Sequence, residues 1–290
     1  MATKKIGVVA PGSPIPVRVG ELVTAKANEM YGEEAPDIRF HPQCFERAGH
    51  FAGSDSRRIE SFLEVANDPS YDAVWFARGG YGANRIAEAI VRALSPDAAA
   101  KTYLGYSDGG ALLSVLYKSG IGRPVHGPMP GDIERQNGAD AISRALAFLV
   151  DGDQQGFEPS LPRNVPVAAF NLSVLCSLLQ TPLAPDLEGH VLMLEDIDED
   201  ILKVDLALFQ LTGNLRGRDV AGIRLGRFSN AGAFVGGATE VDIARQWCDK
   251  AGIAFLGRAN IGHDADNRIV PFGIYSRQQD KSSAEKNTKL

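Results

Sequence analysis

The chain has 290 residues, 44% hydrophobic and 23% charged, which is enough apolar material for one large domain or two smaller ones. A formal net charge of −6 and the lack of a long basic run argue against nucleic acid or an anionic membrane surface as partners. No apolar run approaches the length of a membrane span, and the apolar stretch that follows the first lysines is too short for a signal-peptide core and reads as a first strand.

In chain order, the first half alternates strand and helix signals. "KKIGVVAP" is a buried-strand run, and "RVGELVTAKANEMYG" has helical spacing and ends at a glycine. "DIRFHP" is a short strand; "SDSRRIESFLEVANDPS" opens on capping residues and closes at Asp-Pro. "YDAVWFARGG" runs as a strand into glycines, followed by the helix "NRIAEAIVRAL", the strand "KTYLGYSDG" and the helix "GALLSVLYKSG". "RPVHGPM" reads as another strand end and "ADAISRALAFLVDG" as another helix. Such alternation predicts a parallel sheet with helices on both faces, a flavodoxin-like N-terminal α/β domain over residues 1–150.

Near residue 151 the pattern breaks. "DGDQQGFEPSLPRNVP" is polar, proline-bearing and without periodicity, and is expected to link two domains over residues 151–166. Residues 167–276 form a smaller, mixed α/β domain in this reading, with the strands "HVLMLED", "VAGIRLGRF" and "IAFLGRANIG" and the helices "DEDILKVDLALFQLTG" and "EVDIARQWCDKAG". Residues 277–290 lack apolar content and are expected to form a flexible tail. The three cysteines, Cys44, Cys176 and Cys248, are scattered without metal or redox spacing, which suits a reducing, cytoplasmic setting.

The chemistry concentrates at Gly105-Tyr106-Ser107-Asp108-Gly109, a G-x-S-x-G pattern with a strand before it and a helix after it. A sharp turn there lifts the serine hydroxyl above the sheet, and the Asp108 amide at the helix start is placed for a developing oxyanion. A serine nucleophile needs a base. Of five histidines, His41, His50 and His190 lie in unpromising places, whereas His126 ends the strand after the serine helix and His263 sits in a loop just past a strand. Spacing leaves those two as rivals.

Glu195, at the end of the apolar strand "HVLML", is the candidate to orient the base. The acids that follow it lack the alternation of a calcium loop, and Asp198 to Asp200 suit the start of an amphipathic helix. "ARGGYGANR" contains G-x-G, but Arg85 occupies the third glycine position and no Walker lysine is present, so a nucleotide loop is a poor fit. A glycine turn facing the same crevice as Ser107, with the Gly80 amide foremost, could supply a second oxyanion donor. Arg78 beside it is a candidate for a substrate carboxylate, with a plain surface ion pair as the alternative.

Four segments taken together resemble the LD-carboxypeptidase family of serine peptidases, which includes the microcin C immunity proteins. They are "GVVAPGSP", "ARGGYGANRI", "LGYSDGGALL" followed by "HGPM", and "VLMLEDIDE" with "GHDADNRIVPFG", in the family's order over nearly the whole chain. The family's nucleophile motif matches at Ser107, its glutamate at Glu195, and its G-H-x-x-x-N-x-x-x-P-x-G signature at His263 through Gly273, which selects His263 over His126. The resemblance implies a Ser-Glu-His triad shared between two domains with the site at their junction, no metal or organic cofactor, and a small peptide substrate cut between an L- and a D-amino acid, as in murein recycling. It also implies a homodimer, and it leaves hydrolysis of aminoacyl nucleotide conjugates as an alternative activity and a non-catalytic binding module as a further one. Where many relatives carry Gly-Gly-Asn-Leu-Ser, this chain has "AAFNLS", keeping Asn171, Leu172 and Ser173 without the glycines.

Overall fold

A computed structural model of the chain describes residues 3–232 and 237–275. The expected tail over 277–290 lies outside the described residues. Among the described residues no helix is long and apolar enough to cross a membrane.

The apolar run at the start forms β1 (Lys5–Val9), followed by α1 (Val17–Tyr31), β2 (Asp37–Phe40), α2 (Asp55–Ala66), β3 (Ala73–Phe76), α3 (Ala83–Ala93), β4 (Thr102–Gly105), α4 (Gly110–Lys118), β5 (Arg123–His126) and α5 (Gly138–Asp151). Ser54 caps α2 by accepting from the Arg57 amide, and Gly152 ends α5 in the left-handed conformation. The five strands pair in parallel in the order β2-β1-β3-β4-β5, the flavodoxin-like order. Helices α1 and α5 cover one face over a core of Val8, Trp75, Leu104 and Leu146, and α2, α3 and α4 cover the other over Phe62, Phe76, Ile86 and Leu112. Strand β3 is buried along its whole length, as a parallel sheet covered on both faces requires.

The second half supplies β6 (Val167–Asn171), α6 (Leu172–Leu178), β7 (Val191–Ile197), α7 (Ile201–Leu215), β8 (Gly222–Ser229), α8 (Glu240–Ala251) and β9 (Phe255–Arg258). Its four strands form a second, wholly parallel sheet in the order β6-β7-β8-β9, with Leu194, Leu208, Leu225 and Cys248 in the core beneath the helices. Strand β6 falls where the sequence pattern shows no alternation, because both of its faces are buried.

The two sheets are laced together. A short strand, β10 (Val270–Pro271), comes from the second half but pairs antiparallel with β5, Val270 opposite His126, and so extends the first sheet. The polar stretch after residue 151 is irregular yet anchored. Phe157 is buried, the Glu158 amide donates to the Ile269 carbonyl, and the Glu158 carboxylate accepts from the Asn260 amide. Arg144 of α5 donates to the carbonyls of Ala265 and Asn267, both at 2.9 Å. The loop over residues 260–269 is therefore held from the first half as well as from β8.

Candidate active site

In a doubly wound sheet the crevice lies beyond the carboxyl ends of the strands, and here the loops after β1, β3, β4 and β5 gather there. The Ser13 amide donates to Gly79 O (3.1 Å), and the Gly131 amide to Ala77 O (2.8 Å). Ser107 sits between β4 and α4 with φ of +57°, in the left-handed region that non-glycine residues rarely occupy. Such a conformation costs about 1–3 kcal/mol, comparable to the stabilisation from burying one phenylalanine such as Phe76, which lies against the flanking Gly105 and Gly109. The strain holds the hydroxyl out of the helix and into the crevice.

The ring of His263 lies between Ser107 and Glu195. Its Nε2 is 3.0 Å from Ser107 Oγ and its Nδ1 is 2.5 Å from Glu195 Oε2. In the neutral ring, Nδ1–H donates to the carboxylate and Nε2 accepts from the serine hydroxyl. The sequence reading ends the strand at Glu195; instead β7 runs on to Ile197 and Glu195 is fully buried. Burial raises the Glu195 pKa, with the neighbouring imidazole opposing. Burial pushes His263 down, but the Glu195 charge and hydrogen bond outweigh it, so the imidazole stays protonated to higher pH than an ordinary histidine.

The glycine loop after β3 stands against the serine. A Cβ on Gly79 would lie 2.8 Å from both Cβ and Oγ of Ser107, and a Cβ on Gly80 (φ +101°) would lie 2.1 Å from Ser13 Oγ. Only glycines let this backbone approach so closely. The amides of Asp108 and Gly80 carry no internal hydrogen-bond acceptor among the described residues. The Asp108 carboxylate reaches across to accept from the amides of Gly82 (3.1 Å) and Ala83 (3.0 Å). The start of α3, which a phosphate loop would offer to a nucleotide, is thus occupied by a carboxylate of the chain itself.

His126, the rival base, is placed differently. It is buried, burial lowers its pKa to about 4, and its Nε2 donates to Asn267 Oδ1 at 3.0 Å. The same oxygen accepts from the Gly262 amide (3.2 Å), so His126 and Asn267 fix the loop that carries His263. Tyr106 stands between the two imidazoles, its ring centroid 4.8 Å from His263 and 5.4 Å from His126. From the other side Arg227 of β8 pairs with Asp264 and Asn260. His126→Ala is expected to cost about 1–3 kcal/mol of stability through the lost buried hydrogen bond, read in a thermal melt. Its kcat/KM should fall far less than that of His263→Ala; the reverse order would reject His263 as the base.

The acids after Glu195 all have other tasks. Asp196 accepts from Asn171 Nδ2 and from both the amide and the hydroxyl of Ser173, Asp198 accepts from Asn230, Glu199 pairs with Lys203, and Asp200 caps α7. Asn171 and Ser173 therefore hold the backbone beside Glu195, so the retained half of the altered "AAFNLS" segment has a structural task. Arg78 is exposed on the wall of a cavity of about 400 Å³ that also contains Ser107, Gly80 and His263, and it makes no ion pair or hydrogen bond among the described residues. Sequence reasoning passed over Tyr106, Asp132 and Arg135, which line the same cavity; the turn "PGDIER" is the only signal of the last two, and it carries no motif.

Comparison with known proteins agrees with this architecture. The chain is 24% identical over 289 residues to the murein tetrapeptide carboxypeptidase of Pseudomonas aeruginosa, covering 93% of this chain and 91% of that one. Its fold matches the muramoyltetrapeptide carboxypeptidase of Oxalobacter formigenes with a TM-score of 0.75 at 23% identity, covering 93% of each chain. It matches MccF in complex with glutamyl sulfamoyl guanosine with a TM-score of 0.75 at 19% identity, covering 94% and 92%. The family models of the LD-carboxypeptidase N-terminal and C-terminal domains match residues 6–127 and 166–277, and the chain belongs to the LD-carboxypeptidase family.

Proposed function

We propose that the protein is a serine carboxypeptidase that hydrolyses an amide bond between an L- and a D-amino acid in murein-derived peptides, releasing D-alanine from a tetrapeptide. The observation that carries this reading is the alignment of Ser107 Oγ, the His263 ring and the buried Glu195 carboxylate at a cavity, with the amides of Asp108 and Gly80 unpaired among the described residues. Family membership and the named murein carboxypeptidases among its relatives support the bond type.

In this reading His263 Nε2 takes the hydroxyl proton as Ser107 Oγ attacks the carbonyl carbon. The carbonyl oxygen becomes an oxyanion held by the amides of Asp108 and Gly80. Glu195 keeps the proton on Nδ1 and stabilises the imidazolium. The imidazolium gives its Nε2 proton to the leaving amine, the C–N bond breaks, and an acyl ester remains on Ser107. Water, deprotonated by His263, then attacks the ester; the proton returns to Ser107 as the acid product leaves. Arg78, exposed on the cavity wall, is available to a carboxylate of the substrate. The free, buried thiols of Cys44, Cys176 and Cys248 support a reducing, cytoplasmic setting for this reaction.

A second reading, hydrolysis of an aminoacyl nucleotide conjugate by the same groups, is favoured by one observation: the fold matches MccF as well as it matches the murein enzyme. Mass spectrometry after incubation with a murein tetrapeptide, its all-L diastereomer and an aminoacyl-adenylate analogue separates the two. Loss of D-alanine from the tetrapeptide alone is the expected result. Turnover of the adenylate analogue alone would replace the first reading with the second.

A further inference from the structure

We propose that Arg135, docked on the buried carboxylate of Asp132, binds the free C-terminal carboxylate of the substrate and makes the site an exopeptidase. The inference rests on the peptidase reading above and names the residue that would recognise the chain end. Arg135 lines the same cavity as Ser107 and His263, in the turn that follows "HGPM". That turn is fixed to the glycine loop, since the Gly131 amide donates to Ala77 O and Gly131 packs against the Arg78 side chain.

Asp132 is the anchor. It is buried, and its two oxygens accept from three donors: Oδ1 from the Tyr106 hydroxyl (2.8 Å) and Arg135 Nε (2.9 Å), and Oδ2 from the Met129 amide (2.8 Å). The Arg135 amide also donates to the Asp132 carbonyl at 3.0 Å. With Nε engaged, the terminal amino groups of the guanidinium have no second carboxylate partner among the described residues. A planar fork held at its inner nitrogen suits bidentate capture of a carboxylate. Because the side chain is already fixed, binding costs less conformational entropy than it would at the unanchored Arg78.

Of the other charges lining the cavity, Arg78 is the competing cation, and it lacks the anchor that holds Arg135. Glu134 is paired with Arg18 outside it, and Asp198 would repel a carboxylate. The anchor reaches the reacting groups through Tyr106. Tyr106 precedes Ser107 and packs on the His263 ring, so the carboxylate site and the proposed base share one wall. An internal peptide bond, with more chain beyond it, would place a neutral amide at this cation and gain nothing from it.

The test is the ratio of kcat/KM for an LD tetrapeptide with a free C-terminus to that for the same peptide as its C-terminal amide. The wild type is expected to favour the acid strongly. In Arg135→Gln that ratio should fall by about 10–100-fold, the range of a lost charge-assisted interaction, mainly through a higher KM for the acid. Arg135→Lys keeps a charge without the fork and should lie between the two. Fluorophosphonate labelling of Ser107, which needs no carboxylate, checks that each variant is folded with a competent serine. An unchanged acid-to-amide ratio in both variants, with labelling intact, overturns the assignment while the peptidase reading stands. A fall in labelling parallel to the fall in peptide turnover also overturns it, because Arg135 would then act on the base and not on the substrate. A wild type that labels but cleaves neither peptide rejects the peptidase reading, and the assignment with it.

Discussion

Ser107→Ala is expected to lower kcat for the LD tetrapeptide by on the order of a millionfold while leaving the thermal melt close to that of the wild type. Among the described residues the Ser107 hydroxyl is the hydrogen-bond partner of His263 Nε2, and the 3.0 Å contact places it for proton transfer. His263→Ala should cost nearly as much, because in the proposed mechanism nucleophile and base act as a unit and removal of either leaves the proposed oxyanion donors and binding. Alanine at position 107 still carries a positive φ of +57°, so it inherits the backbone strain and gains none of the relief that glycine would. Ser107→Gly is therefore the better probe of strain. It should be as inactive as Ser107→Ala but show a higher melting temperature than the alanine variant. Tetrapeptide turnover within tenfold of wild type in either variant would exclude Ser107 as the nucleophile.

The parts of this site that were legible in the sequence are those in which local geometry and chemistry coincide. The elbow could be read because a serine between glycines at a strand-to-helix turn has one structural consequence, and the structure places it between β4 and α4. The parallel sheet could be read because strand and helix periodicities alternate, although β6 and β10 escaped. β6 is buried on both faces and shows no alternation, and β10 is two residues long and is defined by its partner β5. The choice between His126 and His263 was not legible from spacing. Both reach the same neighbourhood, and what separates them is tertiary: Asn267 occupies the Nε2 of one, and Ser107 faces the Nε2 of the other. Arg135 was invisible for a related reason. Its anchor, Asp132, is defined by the Tyr106 hydroxyl, 26 residues away in sequence.

Glu195→Gln is expected to lower kcat by about ten-thousandfold with little change in fold, the scale on which loss of the orienting acid costs a serine triad its correct tautomer. The amide can present its NH2 to His263 Nδ1, which favours the ring form with the proton on Nε2, where it can no longer accept from Ser107. The same change should alter the pH profile. In the wild type the Glu195 charge holds the His263 pKa above the ordinary histidine value against burial, which alone would lower it. The proposed base works only when neutral, so kcat/KM should be full above that raised pKa and fall as the pH drops through it. With glutamine at 195 the raising charge is gone and burial remains, so the acid limb of the residual activity should move to lower pH, below the ordinary histidine range. A pH series on both proteins with the same tetrapeptide checks the sign. An acid limb that stays in place, or moves upward, would mean that Glu195 does not set the protonation of His263, and the 2.5 Å contact would then be a structural hydrogen bond without a catalytic task.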